Sequence, residues 1–326
     1  MNLNLYNENL ERIAAIENHY ISCLWSEGYN TVENFSLELI ATDEYKKKVK
    51  ADCFVGRTDR KTLMVIKSVE TKNGHIVATG KQAQRVLEDV AFVGSIEPGT
   101  NIDTAVQNAY NNSTKVPNLD FIESGIEQAY DEYIGSQSVL SVCTTVCQET
   151  DVGFKVERNG SSMTLSLYQP TPKENLVFSE RFGNLSINSI LLSSENFKNY
   201  AIVLGAEQDG TPIRIDIDRT NGNKRRELVV DATRISREKE DTDSMFLAKI
   251  SAFGVEELNK HTNIFVCSFT PNAGEFGKKY DLGDVLTVYL TEYGIKLQAR
   301  VKKFTQKSQN NKVETTVEVG QIIIKR

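Results

Sequence analysis

The sequence predicts an α+β protein that is mainly β, on three observations. Runs of alternating apolar and polar residues recur toward both ends of the chain, and Asn-Gly dipeptides stand between several of them. Helical periodicity is concentrated in a middle section and one later segment. The organisation is therefore β, then α/β, then β, with sections at 1–96, 97–172 and 173–326.

In the first section Phe35, Leu37 and Leu39 alternate with Ser36, Glu38 and Ile40, and a second run covers Leu63 to Val69. Asn73-Gly74 tolerates the positive φ angles of a tight turn, so Val65 to Val69 is expected to pair with His75 to Thr79. Gln82 to Asp89 has the spacing of a short helix.

In the middle section Thr100 and Asp103 resemble a capping box, followed by Ile102, Ala105, Val106, Ala109 and Tyr110 at helical spacing. A loop with Pro117 and Gly125 leads to a second helix near Ser138, whose stripe is Val139, Val142, Cys143, Val146 and Cys147. Gly153 is expected to end it. Phe154 to Glu157, Asn159-Gly160 and Met163 to Leu167 then read as a hairpin, and Pro170 and Pro172 mark a boundary because neither continues a strand ladder.

The last section has candidate strands at Ala201 to Leu204, Ile213 to Ile217 and Leu228 to Val230. A helix is expected from Asp243 to Lys260, with Phe246, Leu247, Ile250, Phe253 and Leu258 near one side and a weak point at Gly254. Leu286, Val288 and Leu290, then Val313, Thr315, Val317 and Val319, alternate around turns at Tyr293-Gly294 and Gln309 to Asn311. That pattern fits a closing antiparallel meander.

At 326 residues, with 40% hydrophobic and 25% charged residues, the chain is long enough for two or three folded domains with cores of their own. Its longest apolar runs, such as Ile322 to Ile324, are too short to span a bilayer, and Met1 opens a polar segment instead of a signal peptide. No stable membrane insertion is expected, and the chain is expected to be made in a cytoplasm. The net charge of −6 argues against a general polyanion binder and hides an asymmetry. Glu97 to Asp151 holds nine acidic residues and one basic residue, while Lys296 to Arg326 holds eight basic and two acidic. Opposed charge suits directional stacking on neighbours, and a solvated face at each end would give the same counts.

Catalytic, cofactor-binding and metal residues are expected to be absent. The three histidines, His19, His75 and His261, are isolated, and no phosphate-binding glycine loop or nucleophile elbow occurs. Cys23, Cys53, Cys143, Cys147 and Cys267 are scattered among apolar neighbours and read as reduced core thiols. Cys143 and Cys147 could share a helix face, but no further ligand lies at zinc-site spacing. Asp216, Asp218, Thr220 and Glu227 imitate the ligand spacing of a calcium-binding EF-hand loop, yet Asn221 holds its glycine position and Ile213 to Ile217 reads as a strand. A turn at Asn221-Gly222 between hairpin strands explains the segment better. Paired carboxylates for glycoside hydrolysis are left undecided by 44 acidic residues. Trp25, beside Cys23 and Leu24, is expected in the core and not as a sugar platform.

Several segments, in order, resemble the tail-tip hub proteins of long-tailed phages, related in fold to the trimeric baseplate hub of contractile tails. They are Cys23-Leu24-Trp25-Ser26-Glu27-Gly28-Tyr29 followed by Asn34-Phe35-Ser36-Leu37-Glu38-Leu39; Asn199-Tyr200-Ala201-Ile202-Val203-Leu204-Gly205; Gly222-Asn223-Lys224-Arg225-Arg226-Glu227 leading to Val230-Asp231-Ala232; and Asp281-Leu282-Gly283-Asp284-Val285. The resemblance implies two tail-tube-like antiparallel β-barrel domains with an α/β insert between them. It implies a structural virion protein, a homotrimeric ring joining the tail tube to the tip. Distal tail or tube proteins would lie above it and tip, spike or fibre proteins below, with a tape-measure protein as a further partner and no specific nucleic-acid sequence. Some relatives carry an added peptidoglycan hydrolase, whereas this chain stops at Arg326 after its last expected strand, which favours a non-enzyme. The expected location is the virion tail tip after assembly in the host cytoplasm. A distal tail or receptor-binding protein is the alternative, and a cell-wall hydrolase a more distant one.

Overall fold

The computed structural model of the protein describes residues 1–16, 20–208, 211–309, 312–320 and 322–325. The first strands are β1 (Leu3–Tyr6), β2 (Arg12–Ala15), β3 (Tyr20–Gly28), β4 (Asn34–Ile40), β5 (Phe54–Arg57), β6 (Leu63–Lys72) and β7 (His75–Gln82), with a short helix α1 (Asp43–Lys48) among them. Alternation in β4 works as the sequence predicts, with Phe35, Leu37 and Leu39 buried. The β6–β7 hairpin turns on Asn73 and Gly74, both at positive φ, and pairs Val65 with Lys81 and Val69 with Ala78 around one bulge.

The middle of the chain contributes β8 (Ala91–Phe92), β9 (Thr100–Asn101), α2 (Ile102–Asn111), β10 (Leu119–Ile122), β11 (Ala129–Tyr130), β12 (Gln137–Ser138), α3 (Val139–Glu149), β13 (Gly153–Asn159) and β14 (Ser162–Tyr168). Both helices carry the stripe read from the sequence, including Val106 and Tyr110 on α2 and Cys143 and Cys147 on α3. The cap of α2 falls one residue later than expected. Asn101 accepts the backbone N–H groups of Asp103 and Thr104, while the Asp103 carboxylate accepts those of Ser124 and Gly125. The turn after α3 is made by Asp151, at positive φ, instead of Gly153. Gly153 opens β13, where a Cβ would lie 2.3 Å from the Tyr168 ring.

The later strands are β15 (Pro172–Phe178), β16 (Leu185–Ser193), β17 (Tyr200–Gln208), β18 (Thr211–Asp218) and β19 (Glu227–Ala232), then α4 (Asp243–Asn259), β20 (Ile264–Pro271), β21 (Val285–Leu290), β22 (Ile295–Gln309), β23 (Lys312–Val319) and β24 (Ile322–Lys325). The expected meander is β21–β22–β23, with Gly294 at positive φ in its first turn. Asn310 and Asn311 of its second turn lie outside the described residues.

Two compact units result: Met1–Ser186 with Thr270–Gly320, and Ile187–Phe269 with Gln321–Arg326. In the first, an eleven-stranded sheet runs β15-β21-β22-β3-β4-β7-β6-β5-β1-β2, with β23 also on β22. Strands from both ends of the chain thus share one sheet: β22 lies antiparallel to β3, pairing Phe304 with Glu27 and Gln306 with Trp25. The path is open, and no pairing among the described residues closes it into a barrel. Nor is pairing wholly antiparallel, since β15 runs parallel to β21 and β10 to β14. Parallel neighbours need long connections, and a whole compact unit separates β15 from β21. Below the sheet, α2, α3, β13 and β14 bury Val106, Val142, Val146 and Leu165 in one cluster with Phe54, Leu63 and Val65.

In the second unit β17 is central, antiparallel to β18 and parallel to β19. Asn221 and Gly222 do turn at positive φ, but β18 and β19 flank β17 instead of forming the expected hairpin. Helix α4 covers this sheet with Phe246, Ile250, Gly254 and Leu258, packed against Ala201, Val203 and Val230. Leu247, expected on that face, is exposed. A second three-stranded sheet joins β16, β20 and β24.

Candidate functional site

The candidate metal and catalytic residues read from the sequence stay apart. Cys143 and Cys147 lie on the buried face of α3, where burial pushes the Cys143 thiol up to about 12 and the Cys147 thiol well above its ordinary value. His75 bonds Glu38 at 2.8 Å, and His261 Nδ1 stands 3.2 Å from the Asn196 carbonyl oxygen. His19 lies outside the described residues. In the EF-hand-like segment Asp216 is bridged by Arg214, and Asp218 accepts the Thr220 backbone N–H and hydroxyl. No group of three or more ligand-type side chains among the described residues is placed to hold a metal ion.

Instead, the first unit is organised by a buried polar node. Glu27, at the end of β3, is 1% exposed and has three partners: the Trp25 indole N–H donates to it at 2.7 Å, the Thr62 hydroxyl at 3.0 Å, and Arg60 lies at 2.9 Å. Arg60 also reaches Asp281 at 3.2 Å, and its guanidinium lies over the rings of Phe276 and Phe304, which stack 4.2 Å apart. Trp25 is fully buried and meets Phe35 edge to face. A buried carboxylate needs a cation and donors to balance its lost hydration. First-section residues supply both, and Asp281, Phe276 and Phe304 of the last section hold Arg60 in turn, which ties the two ends of the chain together.

The acidic section forms an outward surface. Gly99 donates its backbone N–H to the Tyr130 carbonyl and Ile96 bridges Ile134, so the Glu97 loop lies beside Asp131 and Glu132. Burial raises the Tyr130 hydroxyl, and the nearby Glu132 and Glu149 carboxylates raise it further. Glu97, Asp131, Glu132 and Glu149 are exposed, as are the apolar Val93 and Tyr133 of the same loops. Between Glu97 and Asp151, Asp151 alone has a cation partner among the described residues, Arg300 of β22. Charge balance in the sequence pointed to this surface; Val93 and Tyr133 gave no such signal, because isolated apolar residues next to turns do not reveal which way they face.

An open sheet built from both chain ends with a helical insert packed on it is a fold shared with phage tail proteins. The prophage tail protein gp18 from Listeria monocytogenes EGD-e matches with a TM-score of 0.57 and 10% identity over 98% of this chain and 94% of that one. The 43 kDa tail protein of prophage MuSo2 from Shewanella oneidensis matches with a TM-score of 0.53 and 10% identity over 98% of both chains. A chain of the phage P2 baseplate in its activated conformation with Ca matches with a TM-score of 0.51, also at 10% identity and over 98% of both. Likeness at these identities establishes the fold. The family model described as Siphovirus ReqiPepy6 Gp37-like protein matches residues 2–321, and the chain belongs to that family. No curated protein matches the chain. The resemblance to phage tail and baseplate proteins read from the sequence therefore holds.

Proposed function

We propose that the protein is a non-enzymatic structural subunit of the phage tail tip, a hub that joins the tail tube to the tip as a closed ring of three copies. The observation that carries this is the single sheet shared by β3–β7 and β21–β23, in a fold common to tail and baseplate proteins over nearly the full chain. In this proposal strands of sections 1–96 and 173–326 together supply the sheet that each copy brings to the ring, and the 97–172 insert decorates it. An open sheet whose outer strands, among the described residues, pair on one side only has a reason to meet a neighbour: free edges invite uncontrolled pairing, and cyclic symmetry covers every equivalent edge in the same way. Tube or distal tail proteins would pack above and tip proteins below.

Labelling intact particles with antibody against the chain tests the placement. The hub predicts label at the distal end of the tail in electron micrographs. Label along the tube or on the capsid contradicts it.

A further inference from the structure

The second unit contains a cleft of about 640 Å³ between the Ser194–Asn199 segment and the Arg219–Arg226 loop. Lys198, Arg219, Lys224 and Arg226 line it, and no lining residue carries a carboxylate. The wall is fixed by one buried side chain. Asn199, 4% exposed, accepts the Arg226 backbone N–H at 2.7 Å and donates its amide to the Lys224 carbonyl at 3.1 Å, while its own carbonyl accepts the Arg219 backbone N–H at 2.9 Å. Three of the four cations are thereby set on a loop held in one shape.

Among the described residues none of these cations is paired with a carboxylate. Arg219 donates to the Asn259 amide oxygen and Arg226 to the Ser194 carbonyl, both neutral acceptors. Neither lysine has a carboxylate partner among the described residues. Arg214 and Arg225 nearby are by contrast each matched to an acid, Asp216 and Glu227. Four like charges around one cleft give it a positive potential that attracts an anion. Arginine forks and lysine ammoniums suit carboxylates, and a shaped cleft selects a clustered set of them.

The first unit offers such a set: Asp131, Glu132 and Glu149, exposed on the surface that carries Tyr133 and without cation partners among the described residues. We propose that the cation cleft of one copy receives the acidic patch of a second copy, the Tyr133 ring forming an apolar centre inside the charged rim. Two different surfaces meet, so the contact is head-to-tail, and such contacts close into rings when the rotation permits. The proposal rests on the assembly of copies described above and names the surfaces that meet.

The test uses the full chain at high concentration, as an equal mixture of isotopically light and heavy protein treated with a carbodiimide that couples lysine directly to carboxylate. Mixed light–heavy peptides joining Lys198 or Lys224 to the 131–149 carboxylates are expected. In sedimentation equilibrium, Lys224→Glu with Arg226→Glu is expected to weaken association about tenfold or more. Mixing that variant with Asp131→Lys, Glu132→Lys protein is expected to restore it. Absence of the mixed peptides, or failure of the swapped pair to associate, overturns the proposal. So does inorganic phosphate shielding both lysines while copies remain unlinked. A threefold hub in intact tails that lacks this contact removes the contact and leaves the hub; linked copies from a protein found elsewhere in the virion do the reverse.

Discussion

Trp25 is fully buried: Phe35 packs against it in a T-shaped pair, Arg57 lies over its face at 5.6 Å, and Glu27 accepts its N–H. Truncation removes a large buried surface and one donor to a buried carboxylate, so Trp25→Ala is expected to cost ~3–5 kcal/mol, out of the roughly 5–15 kcal/mol that holds a typical domain. Urea unfolding measures it; a midpoint unchanged from the parent contradicts the packing described. Burial of Trp25 was legible from its apolar neighbours Cys23 and Leu24. The Glu27–Arg60 pair was not, because Arg60 lies in the loop between β5 and β6 and its tertiary partner is not encoded by local periodicity. A second residue gives a pH signature. Lys249 at 2.9 Å and the Glu238 backbone N–H hold Asp241 below the usual carboxylate range. A depressed folded pKa contributes stability that is complete above the unfolded value, near ~4, and lost as pH falls through the folded value. Asp241→Asn is therefore expected to be less stable than the parent at neutral pH and to lose less further stability on acidification. Parallel acid-unfolding curves for the two proteins would contradict this.

Among the elements, α4 shows where propensity and packing oppose each other. The sequence placed its span correctly, and Gly254 looked like a weak point. In the fold helix and sheet approach closely at Gly254: a Cβ there would lie 2.3 Å from Val203 Cγ2 and 2.9 Å from Ile217 Cδ1. Gly254→Ala would gain up to ~1 kcal/mol of helix propensity, while overpacking typically costs ~1–3 kcal/mol. Val203, the nearer contact, is a fully buried branched side chain with little room to retreat, so net destabilisation is expected in thermal unfolding. A raised melting temperature would show that the interface is loose. Helices α2 and α3 were legible because a 3.6-residue stripe survives any tertiary arrangement. The Asn101 cap was less so, since Thr100 and Asn101 are both competent caps and only the Thr100 hydroxyl's bond to the Glu97 carbonyl separates them. Leu247 was misplaced because helical spacing fixes an angle but not the width of the face that α4 buries.

For the whole molecule, the order β, α/β, β was legible, whereas the interleaving was not. Nothing in Trp25 or Gln306 alone announces that they are neighbours across β3 and β22. The first and last sections consequently share a sheet, and Ile187–Phe269, which in sequence falls between β15 and β21, folds as a compact unit of its own. Such a layout suits a subunit whose strand edges are completed by neighbours, the central claim made for this protein. A reconstruction of the intact tail tip tests it most directly. The account predicts three copies of this chain in a closed ring between the tube and the tip proteins, with sheet edges of the first unit covered by neighbouring subunits. Six copies in the tube or distal tail ring, or a peripheral fibre position with those edges open to solvent, would contradict it.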